Sequence, residues 1–278
     1  MKPTWLDKKI NLKICSEMKQ VLRNLDVETV CEQAMCPNMA ECFSRNEATF
    51  LILGKHCTRR CSFCNIDKTR PSAPDLDEPM RVARAVEKLE LKHVVITSVT
   101  RDDLSDGGAD IFRDTVLQIR NRTPQVRIEL LIPDFNLSLD SLKKVISVSP
   151  DILAHNVETV PSLYTAVRQG AIYKRSLDVL SLIKKISPSL KTKSGIMLGL
   201  GEKMDEVILV MKDLRLTGCD YLSIGQYLAP SKEHYPVKEY IRPDEFKVYK
   251  EKAALLGFLH IESSPYCRSS YKAKEYLA

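Results

Sequence analysis

Apolar, β-branched runs alternate along this chain with stretches in which apolar residues recur at three- and four-residue intervals. Such alternation is typical of βα units around a parallel sheet, so the sequence predicts an α/β fold. The predicted strands are Thr49–Leu53, His93–Thr97, Arg127–Ile132, Ile152–His155, Lys193–Leu198 and Tyr221–Ile224. The predicted helices are Glu78–Leu89, Ile111–Arg120, Leu139–Ser147, Pro161–Arg168, Ser176–Ile186 and Asp205–Leu216.

Helix ends and domain boundaries have weaker signals. The predicted N-caps are Ser138, Ser176 and Asp205, and the predicted helix stops are Gly170 and Gly218. No internal linker rich in Gly, Ser or Pro interrupts the chain, which favours one catalytic domain with an extension at each end. The predicted boundaries are residues 1–48, 49–240 and 241–278.

Composition restricts the class of protein. The 278 residues are 44% hydrophobic and 28% charged, as in globular proteins with a sizeable core. No apolar run approaches the length of about 18 residues that a membrane span needs, and the N-terminus lacks the apolar region of a signal peptide. We therefore expect a cytoplasmic protein that contacts no membrane. The net charge of +6 is dispersed, so no nucleic-acid partner is expected either.

Three cysteines, Cys57, Cys61 and Cys64, lie within the eight residues CTRRCSFC. Three thiolates on one loop can hold three irons of a [4Fe-4S] cube and leave the fourth iron open for chemistry. The positive charges of Arg59 and Arg60 favour thiolates. Structural zinc is the alternative, but it needs four ligands, and a fourth from the adjacent His56 is poorly placed.

A second triplet, Cys31, Cys36 and Cys42, lies upstream in CEQAMCPNMAEC. Alone, this C-x4-C-x5-C spacing also occurs in zinc sites and cysteine-rich loops. Of the nine cysteines, six belong to the two triplets. Without an export signal, so many cysteines indicate metal ligation rather than a disulfide framework.

The two triplets in this order resemble the lipoyl synthase family of the radical S-adenosylmethionine (SAM) superfamily, with Phe63 as the aromatic residue before the third cysteine. Further motifs agree in order along the chain: TSVTRDDLSDGGA (97 to 109), AHNVETV (154 to 160), YKRSL (173 to 177), SGIMLGLGE (194 to 202), IGQYLAP (224 to 230) and RSSYKA (268 to 273). The resemblance implies a partial (β/α)6 barrel, similar to a reduced TIM barrel, whose N- and C-terminal extensions carry an auxiliary cluster.

The resemblance also implies the chemistry. SAM would chelate the open iron of the cluster on Cys57, Cys61 and Cys64, and an electron from that cluster would cleave SAM to a 5′-deoxyadenosyl radical. The auxiliary [4Fe-4S] cluster on Cys31, Cys36 and Cys42 would supply sulfur. Two sulfur atoms would be inserted, at C6 and C8 of an octanoyl chain. That chain is attached to a lysine of a carrier protein, so the enzyme would be a sulfurtransferase.

Site residues follow from the same motifs. The expected SAM contacts are Phe63, Asn156, Glu158, Arg175, Gly199, Gly201 and Glu202. Arg175 is a candidate partner of the SAM carboxylate, and a surface position at a helix start is its alternative. Ser270 is expected to complete the auxiliary cluster, although Cys267 is a softer competing ligand. Arg101, Asp102 and Asp103 are expected to order the site, whereas Asp106 is a candidate helix cap, and Lys193 stays open between site and solvent.

Partners are implied by the resemblance alone. The expected substrate is an octanoylated lipoyl carrier protein, such as the lipoyl domain of a 2-oxoacid dehydrogenase or the glycine cleavage H protein. Flavodoxin or ferredoxin is the expected electron donor. Among enzymes, the alternative is another radical SAM sulfur inserter, or a dehydrogenase with an auxiliary cluster, that acts on a free small molecule. The alternatives from other classes are a two-cluster electron carrier and a zinc-stapled binding module. Electron carriers usually ligate each cluster with four cysteines, however, and each triplet here is one short.

Overall fold

The structure is a computed structural model that describes residues 2–8, 11–45 and 47–277. The chain divides into two compact units. The amino-terminal unit comprises Lys9–Arg59 and Asn65–Leu153, and the carboxyl-terminal unit comprises Met1–Lys8, Arg60–Cys64 and Ala154–Ala278. The three-part division predicted from the sequence follows motifs rather than contacts, and it stays a prediction.

The amino-terminal unit contains a mainly parallel set of strands covered by helices. Its strands are β1 (Glu28–Thr29), β2 (Thr49–Ile52), β3 (His93–Ser98) and β4 (Arg127–Leu131), followed by β5 (Ile152–Ala154) at the boundary. Its helices are α1 (Leu12–Asn24), α2 (Val30–Gln33), α3 (Met39–Ser44), α4 (Glu78–Lys88), α5 (Ala109–Arg122) and α6 (Leu139–Ser147). Strand β2 pairs with β1 antiparallel and with β3 parallel, and β3 pairs with β4 parallel.

The carboxyl-terminal unit repeats the βα pattern. Its helices are α7 (Tyr164–Val167), α8 (Tyr173–Ile186), α9 (Met204–Leu216) and α10 (Pro243–Leu255). Its strands β6 (Lys191–Leu198), β7 (Tyr221–Gln226) and β8 (His260–Ser264) pair in parallel and in chain order. On the helix-facing side of the strands, Ile196, Leu198, Leu222 and Ile224 pack with apolar residues of α9 and α10 into one core.

All six predicted strands are present, and their ends differ from the prediction by one or two residues. The N-cap prediction is correct for Ser138, whose Oγ accepts a hydrogen bond from the Ser141 amide at 3.2 Å. It is wrong for Asp205 and Ser176, because α9 and α8 begin earlier and place both residues inside the helices. Gly218 adopts φ 83° directly after the C-cap of α9, as predicted for a stop.

Elements outside the predicted βα repeats were not identified from the sequence. They include α1, the short helices α2 and α3 that carry Cys31 and Cys42, and also α10 with β8. Helix α10 and strand β8 add one more βα unit to the predicted pattern. No helix in the described ranges combines the length and apolar character needed to cross a membrane.

Candidate active site

In the amino-terminal unit, the loop after β2 holds Cys57 by its backbone. The Cys57 amide donates to the Asp67 carbonyl at 2.8 Å. Its sulfur accepts hydrogen bonds from the amides of Thr100 at 3.3 Å and Arg59 at 3.5 Å. Amide donors stabilise a thiolate relative to a thiol, so this environment suits a metal ligand.

Arg59 anchors the same loop through two carboxylates. Its guanidinium donates to both oxygens of Asp102, at 2.9 Å each, and to both oxygens of Asp134, at 2.8 and 2.6 Å. Burial alone would lower the pKa of Arg59, but its hydrogen bonds with Asp134 and Asp102 raise it. The sequence analysis used Arg59 as a positive charge beside the thiolates, whereas the structure shows this charge neutralised by two carboxylates.

The other two cysteines of the loop, Cys61 and Cys64, lie in the carboxyl-terminal unit and are half-buried. The Cys64 amide donates to the Cys61 carbonyl at 3.2 Å, which closes a turn. Ser62 fixes this turn, because its amide donates to the Val167 carbonyl and its carbonyl accepts from the Tyr235 amide. Phe63 packs against the apolar cluster of Val167, Leu200 and Tyr227, so it holds the turn against the protein.

The upstream triplet lies on short helices of the amino-terminal unit. Cys31 is on α2 and Cys42 is on α3, and Cys36 lies between these helices. Burial, with a smaller contribution from neighbouring thiols of the triplet, raises the pKa of Cys31 and of Cys42 to about 12. A bound metal would keep these thiols ionised, since it displaces the thiol proton.

The donor chemistry fits iron–sulfur clusters. All nine cysteines are free thiols. Within the described residues, no three His, Cys, Asp or Glu side chains converge closely enough to hold a single metal ion. A cube of four irons spreads its thiolates further apart than one ion does, and both triplets supply the thiolates that such clusters use.

In the TRDDLSDGG loop, Arg101 and Asp106 have different roles. Arg101 is buried and binds Asp103 at 2.8 Å and the Ser72 carbonyl at 2.9 Å, so it orders the loop. Asp106 accepts from the amides of Gly108 at 2.9 Å and Asp110 at 2.8 Å, at the start of α5. The N-cap residue of α5 is Gly108, and Asp106 accepts from an amide of the first turn from two residues further upstream.

At the end of β5, Asn156 and Glu158 belong to a hydrogen-bonded polar cluster of the carboxyl-terminal unit. The Asn156 amide nitrogen donates to Glu158 at 3.0 Å and to the Ser269 hydroxyl. The Asn156 Oδ1 is buried and has no hydrogen-bond partner among the described residues. A Cβ on Gly195 would lie 3.0 Å from this oxygen and 2.8 Å from the Ser223 hydroxyl. Only glycine therefore fits at position 195, which packs directly against this buried, unsatisfied acceptor. An acceptor of this kind suits an ammonium donor such as the amino group of SAM.

Arg175 lies on the first turn of α8, where its Nη2 donates to the Gly170 carbonyl at 3.1 Å. A different arginine, Arg168, lies closer to the site residues. Its Nη1 donates to the hydroxyls of Tyr164 and Ser176, at 2.9 Å each. Burial alone would lower the pKa of Arg168, whereas Tyr164, Glu158 and Cys61 raise it. Arg168 was not among the predicted site residues, although it lies between the HNVE motif (155 to 158) and the YKRSL segment (173 to 177).

The GLGE segment forms a tight turn after β6. Gly199 adopts φ 94°, and a Cβ there would collide with the Gln226 side chain and the Glu239 carbonyl. Gly201 adopts φ 113°. The Glu202 carboxylate accepts from the amides of Gly199 and Leu200, and burial raises its pKa. Glu202 therefore shapes the turn whose backbone is the expected cofactor contact.

The C-terminal motif places its two candidate ligands in different environments. Ser270 is half-buried in a turn before the final 3-10 helix, Ala273–Leu277. The Cys267 thiol is only 1% exposed, and it contacts the Glu262 carbonyl at 3.4 Å. Burial raises the pKa of Cys267 to about 12. Lys193 is also buried, which resolves its position in favour of the interior of this unit.

Comparisons with known proteins agree with this arrangement. Residues 51–214 match the model of the radical SAM superfamily. A lipoyl synthase of Geotalea uraniireducens is 56% identical over 275 residues, which cover 99% of this chain and 97% of that relative. A lipoyl synthase of Trichlorobacter lovleyi is 56% identical over 276 residues, which cover 99% of this chain and 98% of that relative. The chain belongs to the lipoyl synthase family. Its predicted activity, radical SAM-dependent sulfur insertion, and its predicted cofactors, SAM and [4Fe-4S] clusters, are thereby confirmed.

Solved structures confirm the predicted fold class, a partial (β/α)6 barrel of radical SAM type, for this lipoyl synthase family member. Methylornithine synthase (PylB) has a TM-score of 0.56 at 16% identity, over 90% of this chain and 84% of that chain. Streptococcus suis SuiB bound to its precursor peptide SuiA has a TM-score of 0.61 at 10% identity, over 99% of this chain and 59% of that chain. At such identities the likeness concerns the fold alone.

Proposed function

We propose that this lipoyl synthase acts with a division of labour between its two cysteine triplets. Cys57, Cys61 and Cys64 would hold the cluster that binds SAM, and Cys31, Cys36 and Cys42 would hold the cluster that donates sulfur. When bound, the first cluster and SAM supply hydrogen abstraction, and the second cluster supplies sulfide. The observation that carries this proposal is the presence of two separate triplets of free thiols, each one ligand short of a complete cube.

The residues of the carboxyl-terminal unit would bind and orient SAM. Asn156 would accept a hydrogen bond from the SAM amino group through its unsatisfied Oδ1. The Gly199 and Gly201 backbone, shaped by Glu202, would lie against the nucleoside or methionine portion, and Phe63 would support the cysteine turn from its apolar side. Arg175 stays the sequence-based candidate for the SAM carboxylate, and the position of Arg168 makes it a second candidate.

Ser270 would complete the auxiliary cluster through its hydroxyl oxygen. The half-buried turn that carries Ser270 leaves its side chain more accessible than that of Cys267, which is enclosed in the interior and has a raised thiol pKa. An oxygen ligand matches iron–sulfur chemistry less well than thiolate does. The Ser270 bond would therefore be the weakest of the four and the one released when sulfur leaves.

The proposed substrate is an octanoyl group attached to a lysine of a lipoyl carrier protein, and sulfur would be inserted at C6 and C8 of this group. The carrier would be the lipoyl domain of a 2-oxoacid dehydrogenase or the glycine cleavage H protein, and flavodoxin or ferredoxin would supply electrons. The net charge of +6 suits an acidic protein partner. We also propose that the enzyme acts in the cytoplasm and contacts neither nucleic acid nor a membrane.

Alanine variants of the two triplets test the division of labour. Replacing Cys57, Cys61 and Cys64 should reduce SAM cleavage to background, because no open iron remains to bind SAM. Replacing Cys31, Cys36 and Cys42 should leave 5′-deoxyadenosine formation measurable but abolish lipoyl product. Both products are quantified by mass spectrometry after anaerobic reconstitution. Lipoyl product from the second variant would show that the sulfur comes from elsewhere.

Single variants test the fourth ligand. Ser270→Ala should retain SAM cleavage and lose most sulfur insertion, whereas Cys267→Ala should keep the parental ratio of lipoyl product to 5′-deoxyadenosine. Mössbauer spectra of the cluster-loaded proteins should show a change at one iron of the auxiliary cluster in Ser270→Ala alone. The reverse pattern would assign the ligand to Cys267.

A further inference from the structure

The tail that carries Ser270 is held in the carboxyl-terminal unit on its N-terminal side by close backbone contacts. A Cβ on Gly225 would collide with the Cys267 carbonyl, so strand β7 and the tail are in contact at this point. Two residues later, the Ser269 hydroxyl accepts a hydrogen bond from the Asn156 side chain. These contacts fix the chain immediately before Ser270.

On the C-terminal side of Ser270, the larger of the two buried side chains that the structure describes is that of Tyr276. Its side chain is buried, with 3% of the residue exposed. The ring centroid lies 5.5 Å from that of Tyr221 and 4.5 Å from that of His260. The Lys193 ammonium lies 3.8 Å from the same centroid, in cation–π geometry. Lys193 is itself only 1% exposed, and desolvation strengthens such a contact.

The residues between Ser270 and Tyr276 include one buried side chain, that of the small Ala273, and are otherwise half-buried or exposed. Tyr271 and Lys272 are half-buried, and Lys272 adopts φ 54°, a conformation that is rare for a side-chain-bearing residue. A hydrogen bond from the Glu275 amide to the Lys272 carbonyl, at 2.9 Å, closes the local turn. A segment with few buried contacts depends for its order on the residues that anchor it.

We propose that Tyr276 is a positioning residue for sulfur insertion: its ring, held by Lys193, Tyr221 and His260, fixes the tail so that Ser270 stays in place for the auxiliary cluster. The inference rests on the proposed role of Ser270. It concerns the order of the tail, and Tyr276 itself touches neither substrate nor cofactor in this scheme.

Three variants of the cluster-loaded enzyme test the inference. Tyr276→Leu removes the aromatic ring, and Tyr276→Phe retains it while removing a hydroxyl that donates to the Leu222 carbonyl at 3.5 Å. Phe258→Leu is the matched control. Phe258 is also a buried aromatic residue beneath a cation, with the Arg215 guanidinium 5.3 Å from its ring, but it packs in the core between strands and helices.

Hydrogen exchange of the 268–276 peptide, read by mass spectrometry, reports tail order independently of activity. For Tyr276→Leu we expect exchange to accelerate by at least about tenfold. The ratio of lipoyl product to 5′-deoxyadenosine should fall several-fold, with SAM cleavage itself retained. Tyr276→Phe and Phe258→Leu should match the parent in both measurements. Deletion of residues 276–278 is a second way to remove the ring, and it should behave as Tyr276→Leu does.

Each contrary outcome has a distinct meaning. Parental exchange and parental product ratio in Tyr276→Leu would overturn the inference, as would an equal fall in Phe258→Leu, which would indicate general destabilisation. Ser270→Ala distinguishes failure of the proposed ligand from failure of the positioning role. A parental ratio in Ser270→Ala refutes the proposed ligand, whereas a reduced ratio in Ser270→Ala with a parental ratio in Tyr276→Leu refutes the positioning role alone.

Discussion

Arg59 and Arg168 are both tied to the cysteine loop, but the two arginines have opposite electrostatic environments. Arg59 lies in the loop and binds two carboxylates, those of Asp102 and Asp134, through four hydrogen bonds. Arg168 directly follows two residues whose carbonyls accept hydrogen bonds from Ser62 of the loop. The guanidinium of Arg168 donates to two hydroxyls. One guanidinium is neutralised by its neighbours, and the other keeps most of its positive charge.

The difference indicates two functions for the same side chain. A guanidinium that binds two carboxylates in a buried site fixes geometry, because its planar donors match both acceptors at once. A guanidinium held by neutral hydroxyls is positioned without being neutralised, so it can still attract an anion. Arg59 is therefore expected to matter for stability, and Arg168 for binding an anionic group such as the SAM carboxylate.

The largest expected effect is the loss of stability in Arg59→Met. Removing the guanidinium leaves Asp134, which is fully buried, and Asp102 without their cation. Breaking a buried ion pair in this way costs about 3–5 kcal/mol in free energy of unfolding. Urea unfolding of protein prepared without iron and sulfide measures the loss.

Two further variants sharpen this test. Arg60→Met removes a neighbouring arginine that is exposed, and we expect it to change the unfolding free energy by less than about 0.5 kcal/mol. Arg59→Met combined with Asp134→Asn should be less destabilised than Arg59→Met alone, because the buried carboxylate is also gone. Equal stability of Arg59→Met and Arg60→Met would refute the stabilising role of the ion pairs that Arg59 forms.

The contrast between the arginines also shows what the sequence could reveal. Strands such as β3 and β4 are predictable because their apolar, β-branched runs are continuous and local. The partners of Arg59 are 43 and 75 residues away in the chain, so no local pattern indicates them. The caps predicted at Asp205 and Ser176 are wrong for a related reason: a favourable cap residue type competes with packing, and α8 and α9 extend past it by one full turn or less.

The candidate site divides in the same way. Cysteine spacing and the glycines of the GLGE turn are local signals, and the sequence identified both. The unsatisfied Oδ1 of Asn156 depends on the approach of Gly195 and Ser223 from other strands, so it appears only in the structure. Arg168 was missed for the same reason, since Tyr164 and Ser176 reach it only after α7 and α8 have formed.

A smaller effect is expected for Arg168→Met, and it should appear in binding rather than in stability. The hydroxyl of Tyr164 keeps the Val157 carbonyl as a partner and that of Ser176 keeps His155, so the unfolding free energy should change by about 1 kcal/mol or less. Loss of a hydrogen bond to a charged group should raise the KM for SAM on the order of tenfold to a hundredfold, with a smaller change in kcat.

Arg175→Met is the matched control, because the sequence placed the same role on Arg175. With its Nη2 bound to the Gly170 carbonyl at the surface-facing start of α8, Arg175 should contribute less, and its variant should change the KM for SAM by no more than about threefold. A larger effect of Arg175→Met than of Arg168→Met would restore the sequence-based assignment and remove the functional half of the comparison.

The smallest expected effect is a pH-dependent gain in stability for Glu158→Gln, and it tests whether Arg168 truly lacks a full ion pair. Burial raises the pKa of Glu158 above its ordinary value, although Arg168 and Asn156 lower it in part. A carboxyl group with a raised folded-state pKa contributes its full stability below the unfolded-state pKa and loses that contribution as pH rises through the folded-state pKa. Gln cannot ionise, so the variant should gain stability relative to the parent between about pH 5 and pH 8, and urea unfolding at both pH values measures this gain. A variant that becomes less stable than the parent on the alkaline side would mean that Glu158 pairs with Arg168 as Asp134 pairs with Arg59.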